Sequence, residues 1–211
     1  MPLINSKGSK ANGSAPKPAD EDEVERSVDE MLADLASESA QVRRGAARGL
    51  GDHPGAAAVL CTAVAAEPQE SVREAIFTAL IRIGTKPAAA GLVPLLQSED
   101  VGLRNGAIEA LKTMPDAVAD WVGEIFADCA DVRIFGVEIL GALGHPKSPS
   151  WLIEAIEHDP DVNVCAAAVE ALAHCGDATA TAPLLRLVQR FPDEPFLAFA
   201  VQTALSRIAG D

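Results

Sequence analysis

The chain has 211 residues, of which 48% are hydrophobic but only 4% aromatic, with no Tyr. An apolar content built from Ala, Leu, Val and Ile suits closely packed helices and argues against a β-sandwich or barrel, whose strands favour Tyr, Phe, Trp and Thr. Lys and Arg number 17 against 31 Asp and Glu, a net charge of −14; an acidic surface of that size repels phosphate backbones and anionic lipid, so nucleic acid and membrane surfaces are poor partners.

Residues 1–21 are expected to form a disordered tail, rich in Gly, Ser, Asn and Pro and without the apolar run of a signal peptide. Residues 1–19 hold Lys7, Lys10 and Lys17 and no acid, a charge of +3, which leaves −17 on residues 20–211. No stretch approaches the ~18 apolar residues that a membrane-spanning helix needs. Cys61, Cys129, Cys165 and Cys175 form no CxxC pair. Cys165 and Cys175 fall on one predicted helix, about 15 Å apart and too far to bridge. Buried free thiols in a reducing cytoplasm are the expected state.

Beyond the tail, residues 22–211 read as one repeat domain. Helical segments are predicted in alternation: first helices over 24–35, 56–66, 88–96, 117–126, 151–156 and 180–188, each followed by a second helix. Five second-helix segments align as copies of one pattern, from Val42-Arg43 to Leu50, Val72-Arg73 to Leu80, Leu103-Arg104 to Leu111, Val132-Arg133 to Leu140 and Val164-Cys165 to Leu172; a weaker sixth runs from Leu197 to Leu205. The closing leucines are spaced by 30, 31, 29, 32 and 33 residues, a regularity that signals a repeat architecture. Within a copy, Val72, Ile76, Ala79, Leu80 and Ile83 form a single helical stripe. The 14 prolines and 16 glycines read largely as corners between short helices or as tail, as at Gly51–Gly55, Met114-Pro115 and Gly176-Asp177. Asp100, Asp131 and Asp161 precede second helices, where they can cap N–H groups or favour the helix dipole. Six antiparallel helix pairs result, an all-α fold in which pairs stack because none can bury both apolar faces alone.

The Val-Arg-x-x-Ala-x-x-Ala-Leu pattern, the ~31-residue period and the Pro-Leu-Leu of first helices (Pro94-Leu95-Leu96, Pro183-Leu184-Leu185) resemble short HEAT repeats of the kind found in phycobilisome lyases and many bacterial HEAT-repeat proteins. The resemblance covers roughly residues 22–209. It implies an α-α superhelix, right-handed, with first helices outside and second helices lining the concave side.

Arg43, Arg73, Arg104 and Arg133 occupy one slot in four consecutive repeats. Their guanidiniums can grip an anionic ligand; the resemblance implies instead a structural ladder in which each pairs with an acid near a helix start, in its own or the adjacent repeat, with Asp100 and Asp131 as candidates. The ladder is interrupted at Cys165 and Ala198. Positions one and five residues after the ladder slot fall on the exposed side of the second helices. They begin basic at Arg44 and Arg48, pass through Glu74 and Asn105, and turn acidic over Glu109, Glu138 and Glu170, with apolar Ile134, Ala166 and Phe199 between. This stripe is either a solvated face that keeps the chain soluble or a groove for a partner protein with a basic or amphipathic segment. Trp121 and Trp151 share the slot of Pro94 and Pro183 and either form an apolar outer patch or fill gaps between repeats.

No Walker, GxSxG or phosphate-cradling Gly loop is present. The scattered His53, His145, His158 and His174 include no His-Glu pair of the kind that binds iron in HEAT-repeat hydroxylases, and no catalytic residue, cofactor or metal is expected. The expected function is a non-catalytic, cytoplasmic, bacterial-type scaffold or adaptor, with bacterial signalling as a candidate setting. The alternative is a bilin-lyase subunit, suggested only by the repeat subtype.

Overall fold

Thirteen α-helices run through residues 26–210, the residues described by this computed structural model, and no strand occurs among them. The tail expected at residues 1–21 lies outside the described residues. The helices fold back on one another in six successive pairs: α1 (Val28–Asp34) with α2 (Ala40–Leu50), α3 (Ala57–Ala66) with α4 (Glu70–Ile83), α5 (Lys86–Leu92) with α6 (Val101–Leu111), α7 (Pro115–Val118) and α8 (Val122–Phe126) with α9 (Ala130–Ala142), α10 (Ser148–His158) with α11 (Val162–Cys175), and α12 (Thr181–Arg190) with α13 (Pro195–Ala209).

The joints follow from local chemistry. Prolines open α5, α7, α10 and α13, where a missing N–H costs nothing. Gly84 ends α4 in the left-handed region, φ 55°, and donates its N–H to the Leu80 carbonyl. Asp100 and Asp161 cap α6 and α11, each accepting from two backbone N–H groups. Asp131 does not cap: Cys129 holds that position on α9, and Asp131 lies inside the first turn, where its charge alone acts on the helix dipole.

The second helices α2, α4, α6, α9, α11 and α13 form one layer and the first helices the other. Second helices approach one another more closely, so their layer is the inner side of the stack. A single hydrophobic core runs the whole length, and the closing leucines Leu50, Leu80, Leu111, Leu140 and Leu172 are all buried in it. Full burial of each stabilises by about 1.5–3 kcal/mol. Leu205, with no repeat beyond it, is only half-buried.

In three respects the fold departs from the sequence reading. The first helices of the third and fourth pairs are broken: residues 93–97, with Pro94, tighten into a 3-10 turn, and the helix expected over 117–126 divides into α7 and α8 at Trp121, whose N–H bonds the Val118 carbonyl. Proline removes an intrahelical donor in the first case; in the second, Asp120, Trp121, Val122 and Gly123 supply little helix propensity. The glycines are not confined to corners and tail, because eight of the 16 stand inside helices, at Gly45, Gly49, Gly91, Gly102, Gly106, Gly123, Gly136 and Gly141. Several mark close approach: a Cβ on Gly106 would sit 2.2 Å from the Phe77 ring, and one on Gly136 would sit 2.4 Å from Ile125. Finally, the seam between α6 and α9 is the most open one in the inner layer, and Phe135 lies there with the Arg104 guanidinium 5.5 Å over its ring.

Candidate functional site

The ladder arginines reach across the seams. Arg43 on α2 donates through Nε and Nη2 to both carboxylate oxygens of Glu67, at 2.7 and 2.8 Å, and through Nη1 to the Ser37 carbonyl. Arg133 on α9 repeats the arrangement with Asp159, at 2.6 and 3.0 Å, and the Asp128 carbonyl. Each such rung ties the corner of its own repeat to the corner of the next by a bidentate, charge-assisted fork. Arg73 instead makes a single 2.7 Å bond to Asp100, because Ser98 stands where Glu67 and Asp159 stand in their repeats. Arg104 meets no carboxylate; it donates to the Ser98 carbonyl and lies over Phe135. The carboxylate opposite it, Asp128, takes the side chain of Gln97 and the Cys129 N–H. Asp131 joins no rung.

At the fifth rung, where the sequence has Cys165, Arg190 of α12 fills the place. It bonds the carbonyls of Ile156 and Asp159 and lies 3.5 Å from the Cys165 sulfur. No repeat spacing announces this residue, because it comes from a first helix. The electrostatics match the geometry: the hydrogen bond from Arg43 holds the Glu67 carboxyl below its usual range, that from Arg73 does so for Asp100, and Asp159 raises the Arg133 guanidinium. With their donors spent on carboxylates and carbonyls, Arg43 and Arg133 have little left for an anionic ligand.

The exposed stripe divides into two parts. Glu74 on α4 and Asn105 on α6 stand apart and exposed. Ile134, Glu138 and Glu170 come together, lining one groove of about 390 Å3 between α9 and α11. Its floor is Val137, Gly141, Ala142, Ala167 and Ala171. Gly141 is where the two helices touch, since a Cβ there would stand 2.9 Å from that of Ala171. Ile134 is half-buried and packs on the core, so it is a wall of the groove rather than a free anchor. Phe199 on α13 lies outside the groove and is 68% exposed.

Two basic groups unforeseen in the sequence reading modify this acidic rim. Lys112 bonds Glu109 and Glu138, each at 2.7 Å, and thereby links α6 to α9 across the open seam. Burial pulls its ammonium pKa down, but the bonds it donates to Glu109 and Glu138 outweigh that and raise it. The i, i+3 spacing from Glu109 was legible as a helix pair; the reach to Glu138 was not. His174, at the far end, stands 3.4 Å from Arg207 Nη1 and 2.9 Å from the Glu170 carbonyl. A guanidinium only donates, so Nε2 is the acceptor and Nδ1 carries the proton. Glu170 makes no ion pair among the described residues and is the free carboxylate of the rim.

The tryptophans do not share a surface cavity. Trp121, half-buried, stands at the break between α7 and α8, whereas Trp151 stacks on His145, centroids 4.8 Å apart, and walls an outer groove of about 360 Å3 with Val122, Gly123 and Phe126. All four cysteines are free: Cys129 is exposed, Cys61 and Cys165 are buried, and Cys175 is partly buried. Burial pushes the Cys61 and Cys165 thiols up to about 11. No helix among the described residues is long and apolar enough to cross a membrane.

A family model for HEAT repeats matches residues 28–112 and 119–208. No curated protein matches significantly. Similar solved structures include an engineered protein, 18% identical with 87% of this chain and 96% of that chain covered at a TM-score of 0.41. A designed armadillo repeat protein is 18% identical, with 86% and 100% covered at 0.39. The complex of CpcE and CpcF of phycocyanin lyase from Nostoc sp. is 16% identical, with 97% and 100% covered at 0.38.

Proposed function

The chain belongs to the HEAT-repeat family, and from that premise we propose that it is a non-catalytic protein-binding scaffold whose inner face receives a basic or amphipathic segment of another protein. The observation that carries this reading is the groove between α9 and α11, where an apolar floor of small residues lies beneath Glu138 and Glu170. Small side chains let a partner backbone or apolar side chain approach closely, and an unpaired carboxylate beside them favours a cation at that point. The interior of the chain is committed to packing, and the buried thiols are held protonated at neutral pH, so neither offers a nucleophile. In this reading the open-chain tetrapyrrole chemistry of a lyase has no supporting feature, and Glu74, Asn105, Glu109 and Phe199 are an outer extension of the footprint.

The test is affinity capture from the source cells with three baits: the wild-type chain, Glu138→Lys/Glu170→Lys, and a control reversal at Glu99, remote from the groove. Proteins captured by wild type and control but lost from the groove variant are expected, with helical content unchanged by circular dichroism. An identical captured set from all three baits refutes the reading.

A further inference from the structure

We propose that the outer groove between α8 and α10 is a second docking site, separate from the inner one. Its occupant is an arginine side chain of another protein, with the guanidinium flat on Trp151 and paired to Glu154.

The neighbouring groove shows what this one lacks. Between α10 and α12, Arg186 pairs with Glu157, and Arg190 donates to the Ile156 and Asp159 carbonyls, so two arginines of the chain itself supply the cations there. Trp151 stands in the repeat slot of Pro183, 32 positions earlier, and the same offset puts Glu154 in the slot of Arg186 and His158 in that of Arg190. One repeat back, therefore, a carboxylate and an imidazole replace the two guanidiniums, and the facing wall on α8 offers Val122, Gly123 and Phe126, none of them charged. Glu154 is exposed and makes no ion pair among the described residues. Asp159, which also lines the groove, is held by Arg133, and Arg133 is spent on it and on the Asp128 carbonyl. Lys147, at the N-cap of α10, starts about 10 Å up the helix axis from Glu154, at 1.5 Å per residue.

The parts of the groove select a guanidinium over an ammonium or a purely apolar group. Trp151 is fixed in place by its stack on His145 and walls the groove together with Phe126. Glu154 follows it by three residues, on the same side of α10. A planar, delocalised cation stacks on an indole while forking to a carboxylate, which a compact ammonium cannot do. His158 Nδ1 lies 3.1 Å from the Glu154 carbonyl; a carbonyl only accepts, so Nδ1 carries the proton and Nε2 is a further acceptor. The C-terminal end of α10 adds its partial negative charge at His158. The fold itself already lays guanidiniums over aromatic rings twice, Arg104 at 5.5 Å from the Phe135 centroid and Arg190 at 4.7 Å from that of Phe191. Gly123 leaves room for the incoming side chain, since a Cβ there would meet no atom within 4 Å.

The experiment titrates the 15N-labelled full chain with a blocked peptide, acetyl-Gly-Ala-Arg-Ala-Gly-amide, and with the same peptide carrying citrulline or lysine in place of arginine. Saturable shifts of the Trp151 indole N–H and of the amides around Gly123 and Glu154 are expected from the arginine peptide. Citrulline, which keeps the shape and loses the charge, should bind at least about tenfold more weakly, and Glu154→Gln should weaken the arginine peptide by a similar factor. Gly123→Leu should block the groove; Glu154→Gln, an exposed change of equal size, decides the matter should the leucine disturb α8. Glu124→Gln, on α8 but not in the groove, and Glu138→Lys/Glu170→Lys should leave binding unchanged. No saturable shift up to about 20 mM peptide, far beyond a useful affinity, overturns the proposal. So do citrulline binding as tight as arginine, indifference to Glu154→Gln, or shifts centred on Glu170; a lysine peptide that binds equally well overturns the assignment to arginine. Failure here leaves the inner groove standing, because its capture test turns on Glu138 and Glu170.

Discussion

Arg133→Ala tests whether the ladder fastens one repeat to the next. The substitution removes two bonds to Asp159 and one to the Asp128 carbonyl, and leaves the Asp159 carboxylate, whose side chain is only 5% exposed, without its cation. Breaking a fully buried ion pair from one side costs about 3–5 kcal/mol. Here the guanidinium keeps 14% exposure at the edge of the seam, so water compensates in part and the expected loss is about 2–3 kcal/mol. For a domain of this size that corresponds to a fall in Tm of about 5–10 °C. Arg73→Ala should cost distinctly less, since its partner Asp100 is 47% exposed and joined by a single bond. Urea and thermal unfolding followed by circular dichroism measure both, and Arg133→Ala/Asp159→Ala completes the cycle. The double variant should recover part of the Arg133→Ala loss, because no unpaired buried charge remains. Equal losses for Arg73→Ala and Arg133→Ala, or a double variant as unstable as the sum, would refute the reasoning.

Gly106→Ala should destabilise by about 1–3 kcal/mol in spite of its better helix propensity, since the new methyl collides with Phe77; Phe77→Leu should restore much of the loss in the same urea titration. The Glu67 carboxyl is held low by Arg43, so its contribution is present above the unfolded carboxyl value of about 4.3 and is lost as pH falls through the lower folded value. Thermal melts should therefore be flat in this respect above about pH 5 and decline below it, and Arg43→Met should flatten that acid limb. Disulfide reagents in native buffer should titrate Cys129 rapidly, with Cys61 and Cys165, pushed up to about 11 by burial, reacting only on unfolding; three fast thiols would contradict the packing. His145→Ala should increase acrylamide quenching of tryptophan fluorescence by uncovering Trp151, whereas Glu99→Lys should leave it unchanged.

The reading of the stripe shows where sequence is sufficient and where it stops. Glu138 and Glu170 were placed five residues after the ladder slot by helical period alone, and they do line one groove. Ile134 had the same period but packs against the core, and Glu109 is tied up by Lys112, a residue whose second partner lies 26 positions away. Arg104 looked identical to Arg43 in sequence, yet it meets no carboxylate: it donates to the Ser98 carbonyl and lies over Phe135, while Asp128 takes Gln97 and the Cys129 N–H.

The sequence by itself determined the second helices, the pairing and the continuous core, because a period of about 31 residues with one apolar stripe per helix admits only stacking as a way to bury both faces. Only the tertiary structure decided which charges are free. Arg190 replaces the missing rung at Cys165, Lys112 neutralises part of the acidic rim, and Gly49, Gly91, Gly106, Gly136 and Gly141 serve helix contact rather than turns. Helical period is a local property written in neighbouring residues, whereas charge pairing across a seam depends on the distance between helices, which is set by side-chain volumes on both sides at once.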